Sequence, residues 1–275
     1  MRPVRDPLKS MNASSRSKTR AGLRSGFTAM ELLVAISVVM VLAGLTMQVM
    51  KTGRQKALLV RATQKIKDLG SAFVSYTAES GGKLPRENYS GSGDTWEAAA
   101  EEGASDVWYN ALVWRMGASS VGELGEEKKP QLFYEENYPL YVPGAPYPKS
   151  EKKLKTPMFA IGMNSRLQRR ESETGHKDPG TLASIQAPVN TVIFLERGMP
   201  KDKMVIRSQA NFSASPKAGP KAFAARHNQT GLLLFADGHV ENRSPMDIIT
   251  GSGKVKTLEE GSNVVWTRDP DDDPN

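Results

Sequence analysis

A nearly uninterrupted apolar run dominates the hydrophobic pattern near the start of this chain. The stretch from Phe27 to Met50 holds 24 residues with a single charge, Glu31, and the 19 residues from Leu32 onward hold none. At about 1.5 Å of rise per residue, the uncharged part alone reaches about 29 Å as a helix, which matches the apolar thickness of a bilayer. The pattern predicts a membrane-spanning helix over residues 27–50.

After this run, the pattern changes to that of an amphipathic helix over residues 51–80. Apolar side chains recur at spacings of three or four, while Lys, Arg and Asp cover the other side. The cluster Gly81, Gly82 and Pro85 ends the helix. We expect the apolar stripe to pack on a sheet, and its members are Leu58, Ala62, Ile66, Leu69, Phe73 and Tyr76.

The remaining chain predicts a head of mixed structure. Residues 81–157, rich in Gly, Glu, Lys and Pro, predict an insertion of helices and loops whose end, 132–157, is irregular and exposed. Short apolar runs in 158–248 predict a small antiparallel sheet with one face on the helix, and Asp237–Gly238 predicts a hairpin turn. Residues 249–275 predict an acidic C-terminal tail, whose end "RDPDDDPN" we expect to be solvated. The expected fold class is α+β, with the long N-terminal helix packed on the sheet.

Charge changes the interpretation of the N-terminus more than that of the head. The net charge is +7, and residues 1–26 alone hold seven basic side chains against one acid. The rest is close to neutral, so we expect no nucleic-acid partner. A basic arm before an apolar run fits a signal peptide or a signal anchor, and the lack of an Ala-x-Ala-like site after the run favours the anchor. The positive-inside rule then leaves the head outside the cytoplasm.

Neither a signal peptide nor a plain anchor explains Glu31. A carboxylate within a spanning segment costs free energy, and it is therefore a functional-site hypothesis in its own right. Its place near the cytoplasmic end of the run makes this cost milder than at the centre of the bilayer.

The stretch "SGFTAMELLVAISVVMVLAGL" around Glu31 resembles the N-terminal signal of type IV prepilins and of type II secretion pseudopilins. The resemblance implies that a prepilin peptidase removes the leader 1–26 at the Gly26–Phe27 bond and that Phe27 is N-methylated. It also implies a single-pass inner-membrane protein with a periplasmic head, which an assembly machinery adds to a filament of pilin-like subunits. A start at Met11 would give a shorter leader that is still basic. Gln48 departs from the family, where many members have Pro.

Cleavage after Gly26 would create an ammonium group on Phe27 in apolar surroundings. Glu31 supplies the opposite charge, and we expect the two to pair across neighbouring subunits, because such pairing is far stronger in a low dielectric than in water.

A second resemblance lies near the C-terminus. His227, nine further residues and then Asp237–Gly238 resemble an element of prepilin-like proteins from Planctomycetes and Verrucomicrobia-type bacteria. The blocks "WYNAL" at Trp108, "IGMN" at Ile161 and "APVNTVIFLERG" from Ala187 resemble other blocks of that group. The Cys-Pro element frequent in the group does not occur in this chain.

The same residues allow a chemical interpretation. His227, Asp237 and His239 could ligate zinc or iron, but the turn already accounts for Asp-Gly, and hydrogen bonding around it accounts for the histidines. The chain has no Cys and none of the common hydrolase or nucleotide-binding motifs. We expect no cofactor, although the pseudopilin resemblance leaves calcium open for the acidic end, at Asp269, Asp271, Asp272 and Asp273.

The sequence therefore predicts a structural subunit that is not an enzyme. One alternative is an anchored enzyme or binding protein whose head uses His227, Asp237 and His239. Another is a signal-anchored surface protein that never polymerises. Whether the filament is a pilus or a secretion pseudopilus stays open.

Overall fold

A computed structural model describes residues 28–89, 94–148, 155–170, 177–210 and 212–275. Its α-helices are α1 Ala29–Glu79, α2 Trp96–Ala100, α3 Trp108–Arg115, α4 Val121–Glu126 and α5 Pro245–Ile248. Its strands are β1 Ile161–Asn164, β2 Arg169–Arg170, β3 Lys177–Asp178, β4 Val192–Glu196, β5 Lys217–Ala218, β6 Gly231–Phe235 and β7 Val240–Arg243. Short 3₁₀ helices are Glu102–Ala104, Pro130–Tyr134, Leu182–Ser184 and Pro220–Ala222.

The chain divides into two units, Met1–Met50 and Lys51–Asn275. In the first unit, the structure describes the beginning of α1, and every residue from 29 to 50 is exposed. This stretch is long and apolar enough to cross a membrane, a property that signal sequences share. The predicted apolar N-terminal helix is confirmed as a helix.

In the second unit, α1 packs its apolar stripe on a sheet. Ala62, Ile66, Leu69, Phe73 and Tyr76 are buried, whereas Leu58 is half-buried. The rings of Phe73 and Phe194 meet edge to face at 6.1 Å between centroids. The fold is of the α+β class, as the sequence predicts.

The sheet is mixed, which corrects the prediction of an antiparallel sheet. Its strand order is β5-β1-β4-β6-β7, and the pairs β1/β4, β4/β6 and β6/β7 are antiparallel. β5 lies parallel to β1 at the edge. The reason is the connection between β4 and β5, which crosses to the far side of β1. The chain then returns in the direction opposite to β4, and this is the direction of β1. A separate antiparallel pair joins β2 and β3.

Strand β6 is buried on both of its faces. Leu232 and Leu234 belong to the core that includes the stripe of α1. Leu233 and Phe235 point to a second core, which contains Ile248, Ile249, Val255, Val264 and Trp266. The continuous apolar run of β6 therefore reflects a strand that is covered on both faces. The sequence predicted only the face that packs on the helix.

The second core corrects the prediction of a tail over the whole of 249–275. Val264, Val265 and Trp266 are buried, and Val265 makes a parallel bridge with Thr191 just before β4. The side chains of Asp271, Asp272 and Asp273 are exposed, so only this acidic end is solvated. The C-terminal segment is a layer of the head because its apolar side chains cover the face of the sheet opposite α1.

The insertion contributes aromatic side chains to the first core. Trp108 of α3 contacts Phe194 of β4 and Phe159, with ring centroids at 5.1 and 5.6 Å. Phe133 contacts Phe159 at 5.3 Å. The segment expected to be exposed, 132–157, instead buries Phe133, Tyr138, Leu140 and Val142. Its prolines break regular structure, but its aromatic and aliphatic side chains still fill the space beside α1.

Candidate functional site

The carboxylate of Glu31 takes part in the capping of α1. Oε2 of Glu31 accepts hydrogen bonds from the backbone N–H and the hydroxyl of Thr28, at 2.8 and 2.9 Å. Oγ1 of Thr28 accepts in turn from the N–H of Glu31 at 3.2 Å. This reciprocal pattern is a capping box, which satisfies backbone donors that a helix start leaves unpaired. The sequence prediction for Glu31 did not include this contact, although Thr followed three residues later by Glu is its usual signature.

The other N-terminal predictions lie outside the described residues. These are the leader 1–26, the alternative start at Met11 and the two residues of the proposed cleavage, Gly26 and Phe27.

In the head, His227 is held by a buried carboxylate. Nε2 of His227 lies 3.0 Å from Oε1 of Glu196, the last residue of β4, and both side chains are almost wholly buried. Oε2 of Glu196 accepts a hydrogen bond from the backbone N–H of Leu232 at 2.9 Å. Glu196 thus joins β4, the segment before β6 and β6 itself.

Arg226 extends this network. Its guanidinium lies 3.7 Å from Oε1 of Glu196, and its Nε donates to Oδ1 of Asp202 at 3.1 Å. It also donates to the carbonyl oxygens of Ala160 and Arg197. The carboxylates of Glu196 and Asp202 lie in the interior beside the guanidinium of Arg226, so these buried charges have an opposite partner, as a charge in a protein interior requires.

Arg197 is a further buried cation beside this network. It follows Glu196 directly, its side chain is fully buried, and it donates a hydrogen bond to the hydroxyl of Ser213 at 2.5 Å. Burial lowers the pKa of its guanidinium to about 10, because a low-dielectric environment disfavours the charged form.

His227 also begins a tight turn. The backbones of His227 and Thr230 exchange two hydrogen bonds, at 2.9 and 3.2 Å. The two central residues, Asn228 and Gln229, have φ of 54° and 66°. Two positive φ values between paired residues define a type I′ turn, in which Asn is one of the few favoured non-glycine residues. The network and the turn together fix the entry into β6.

Asp237 and Gly238 lie in the turn between β6 and β7. Gly238 has φ of 92°, a backbone conformation that residues other than glycine rarely adopt. Oδ1 of Asp237 accepts from the backbone N–H of His239 at 3.1 Å and lies 2.5 Å from its Nδ1. The His239 ring stacks on Phe235 at 4.3 Å. These contacts stabilise the turn and the residues on either side of it.

The structure does not bring His227 together with Asp237 and His239. His227 precedes β6, whereas the other two follow it, and a five-residue strand spans on the order of 15 Å. Among the described residues, no group of three His, Asp or Glu side chains is placed to hold a metal ion. The fixed spacing of this motif therefore reflects the length of β6 and marks its two ends.

Sequence reasoning missed Glu196, Arg226 and Asp202. The signal for Glu196 was present, because it is the one charge that directly ends the apolar run "TVIFLE". A buried charge in that place needs an oppositely charged or hydrogen-bonding partner. Arg226 and His227, which are neighbours in the chain and precede the apolar run of β6, are candidates for it. The partner Asp202 gives no such signal.

Comparison with models of protein families, with characterised proteins and with solved structures found no match to this chain. The interpretation of function therefore rests on the residues and geometry described above.

Proposed function

We propose that this chain is a prepilin-like structural subunit rather than an enzyme. A prepilin peptidase removes the leader 1–26 at the Gly26–Phe27 bond, and Phe27 is N-methylated. The helix from Phe27 onward then holds the protein in the inner membrane as a single pass, with its head in the periplasm. From there it is assembled with other pilin-like subunits into a pilus or a secretion pseudopilus.

The observation that carries the proposal is Glu31. It is the only charge between residues 27 and 50, and it lies in the first turn of an apolar helix. All described residues of that helix up to Met50 are exposed, so they need lipid or other helices around them. A helix that passes from the membrane into a filament has both kinds of surroundings in turn.

The contacts of Glu31 agree with a role for its charge. Its carboxylate lies 2.8 Å from the N–H of Thr28, and the amine released by cleavage belongs to the preceding residue, Phe27. Helix capping accounts for the place of the carboxylate, but a glutamine caps equally well. We infer that the negative charge serves to pair with the amine of an adjacent subunit during assembly.

The head supports the proposal at the level of architecture. The C-terminal half of α1 packs on a small sheet through Phe73 and Phe194, which is the arrangement that the resemblance to pilins implies. The alternative function, a metal or ligand site shared by His227, Asp237 and His239, has no support from the geometry, since β6 separates the first from the other two.

Mass spectrometry of the native protein from its host tests the proposal. We expect a chain that begins at N-methylated Phe27. Gly26→Val should leave the leader attached because the peptidase can no longer reach the backbone, whereas the matched change Gly22→Val should be processed normally. An intact leader on the native protein would contradict the proposal and favour a plain signal anchor.

A further inference from the structure

A cavity of about 470 Å³ lies within the 51–275 unit, beside the entry into β6. Its walls include Lys51, Thr52, Gln55 and Lys56 of α1, together with Asn228 of the type I′ turn and Asn242 of β7. His227 of the network around Glu196 also lines this cavity.

The lining of the cavity favours an anion. Two lysines and several residues with amide or hydroxyl side chains line it, and none of its lining residues is acidic. Six Lys and Arg side chains and no acid occur between Lys51 and Lys67, so the surrounding helix is also cationic. Lysine binds phosphate as a point charge, and amide groups add directed hydrogen bonds.

One wall of the cavity is rigid. Asn228 is held in the left-handed conformation by the turn, and His227 beside it is anchored to Glu196 at 3.0 Å. This wall is fixed before any ligand arrives, which lowers the entropy lost on binding.

We propose that this cavity binds a phosphate group. The phosphate is either that of an anionic phospholipid or a free phosphate ion. Lys51 is the first residue after the uncharged run, so in the chain the cationic cluster directly follows the segment proposed to cross the membrane. Basic side chains at such a place attract anionic headgroups. The lipid source rests on the proposed membrane anchoring, whereas the phosphate site rests on the cavity.

The first arm of the test titrates inorganic phosphate into the full chain in an uncharged detergent and measures binding by phosphorus NMR. The double variant Lys51→Gln/Lys56→Gln should weaken binding about tenfold or more, since it removes both positive charges that line the cavity. The matched double variant Lys67→Gln/Lys201→Gln removes the same charge outside the cavity and should bind like the wild type. Asn228→Gly keeps the positive φ of the turn but removes the amide, and should weaken binding without changing the thermal stability.

The second arm places the full chain in nanodiscs with equal parts phosphatidylglycerol and phosphatidylcholine and counts co-purified lipid by native mass spectrometry. Enrichment of phosphatidylglycerol that the Lys51/Lys56 variant loses identifies the lipid as the source. Phosphate binding without this enrichment identifies the free ion. The proposal is overturned if neither probe binds, or if both double variants weaken binding equally. A chain that does not enter nanodiscs contradicts the membrane anchoring instead, and the first arm still tests the cavity.

Discussion

Nε2 of His227 and Oε1 of Glu196 lie 3.0 Å apart in the interior of the head, where neither side chain reaches solvent. The pair joins the end of β4 to the turn that precedes β6. It gives His227 a structural role, because the histidine hydrogen-bonds and orients a carboxylate that also holds the backbone of β6.

Loss of Glu196 should destabilise the head strongly. Glu196→Ala leaves His227 and the backbone N–H of Leu232 without their buried acceptor and takes one of two carboxylates from Arg226, and breaking such a network costs about 3–5 kcal/mol in the free energy of unfolding. Urea unfolding of the full chain in detergent, followed by Trp fluorescence, measures this. Glu259→Ala, at an exposed position, is the control and should change the free energy by no more than about 0.5 kcal/mol. Equal effects of the two variants would show that the network does not stabilise the head.

The role of Glu31 can be divided between capping and charge. Glu31→Gln keeps the hydrogen bonds to Thr28 but removes the negative charge, whereas Glu31→Ala removes both. We expect both variants to insert into the membrane and both to be lost from filaments, because assembly needs the charge. The measurement is the amount of protein in sheared filaments relative to the membrane fraction. Normal assembly of the glutamine variant alone would assign Glu31 to capping.

The turn at Gly238 should not tolerate a side chain. Gly238→Ala forces a Cβ into φ of 92° and should cost about 1–3 kcal/mol in the free energy of unfolding. Gly219→Ala is the matched change, since its φ is −104° and the nearest atom to an added Cβ is 3.7 Å away. If the two variants unfold at the same urea concentration, the turn is not constrained as described.

The C-terminal layer should contribute to stability like a core. Trp266 is 1% exposed, and Trp266→Ala should cost about 3–5 kcal/mol through lost burial and the cavity left behind. Leu258→Ala removes an apolar side chain from the same segment, but Leu258 is 43% exposed and should matter little. Unfolding in urea compares them. A Trp266 variant as stable as the wild type would show that this segment contributes no core packing, as expected of a tail.

Stability should fall at alkaline pH because of buried tyrosines. Burial raises the pKa values of Tyr109, Tyr138 and Tyr147, so the folded state keeps these protons while the unfolded state releases them above about pH 10. The unfolded state then binds fewer protons, and the stability present below that pH is lost as pH rises. Tyr138→Phe removes one such proton and should reduce the slope of stability against pH by up to about 1.4 kcal/mol per pH unit. An unchanged slope would contradict the assignment.

The sequence was most informative where one physical property decides the structure. The apolar run and the stripe from Ala62 to Tyr76 predict α1 and its buried side, because hydrophobic periodicity is a local signal. The Asp237–Gly238 pair likewise predicts its turn. None of these inferences depends on what lies far away in the chain.

The sequence was least informative where distant segments meet. The run of β6 is equally compatible with one or two covered faces, and only the packing of Trp266 decides this. The parallel edge of β5 depends on the path of a connection, which composition does not encode. For the site, the residues His227 and Asp237 were found, but the distance between them and the partnership with Glu196 arise from strand pairing.

The two-sided burial of β6 has a consequence for the order of events during synthesis. Residues 62–76 and β6 can meet as soon as both have emerged, but the second face of β6 stays uncovered until residue 266 has been made. The head therefore carries an exposed apolar sheet face until this late point of synthesis. A chaperone that meets the unfinished chain has its clearest target there, on Leu233 and Phe235.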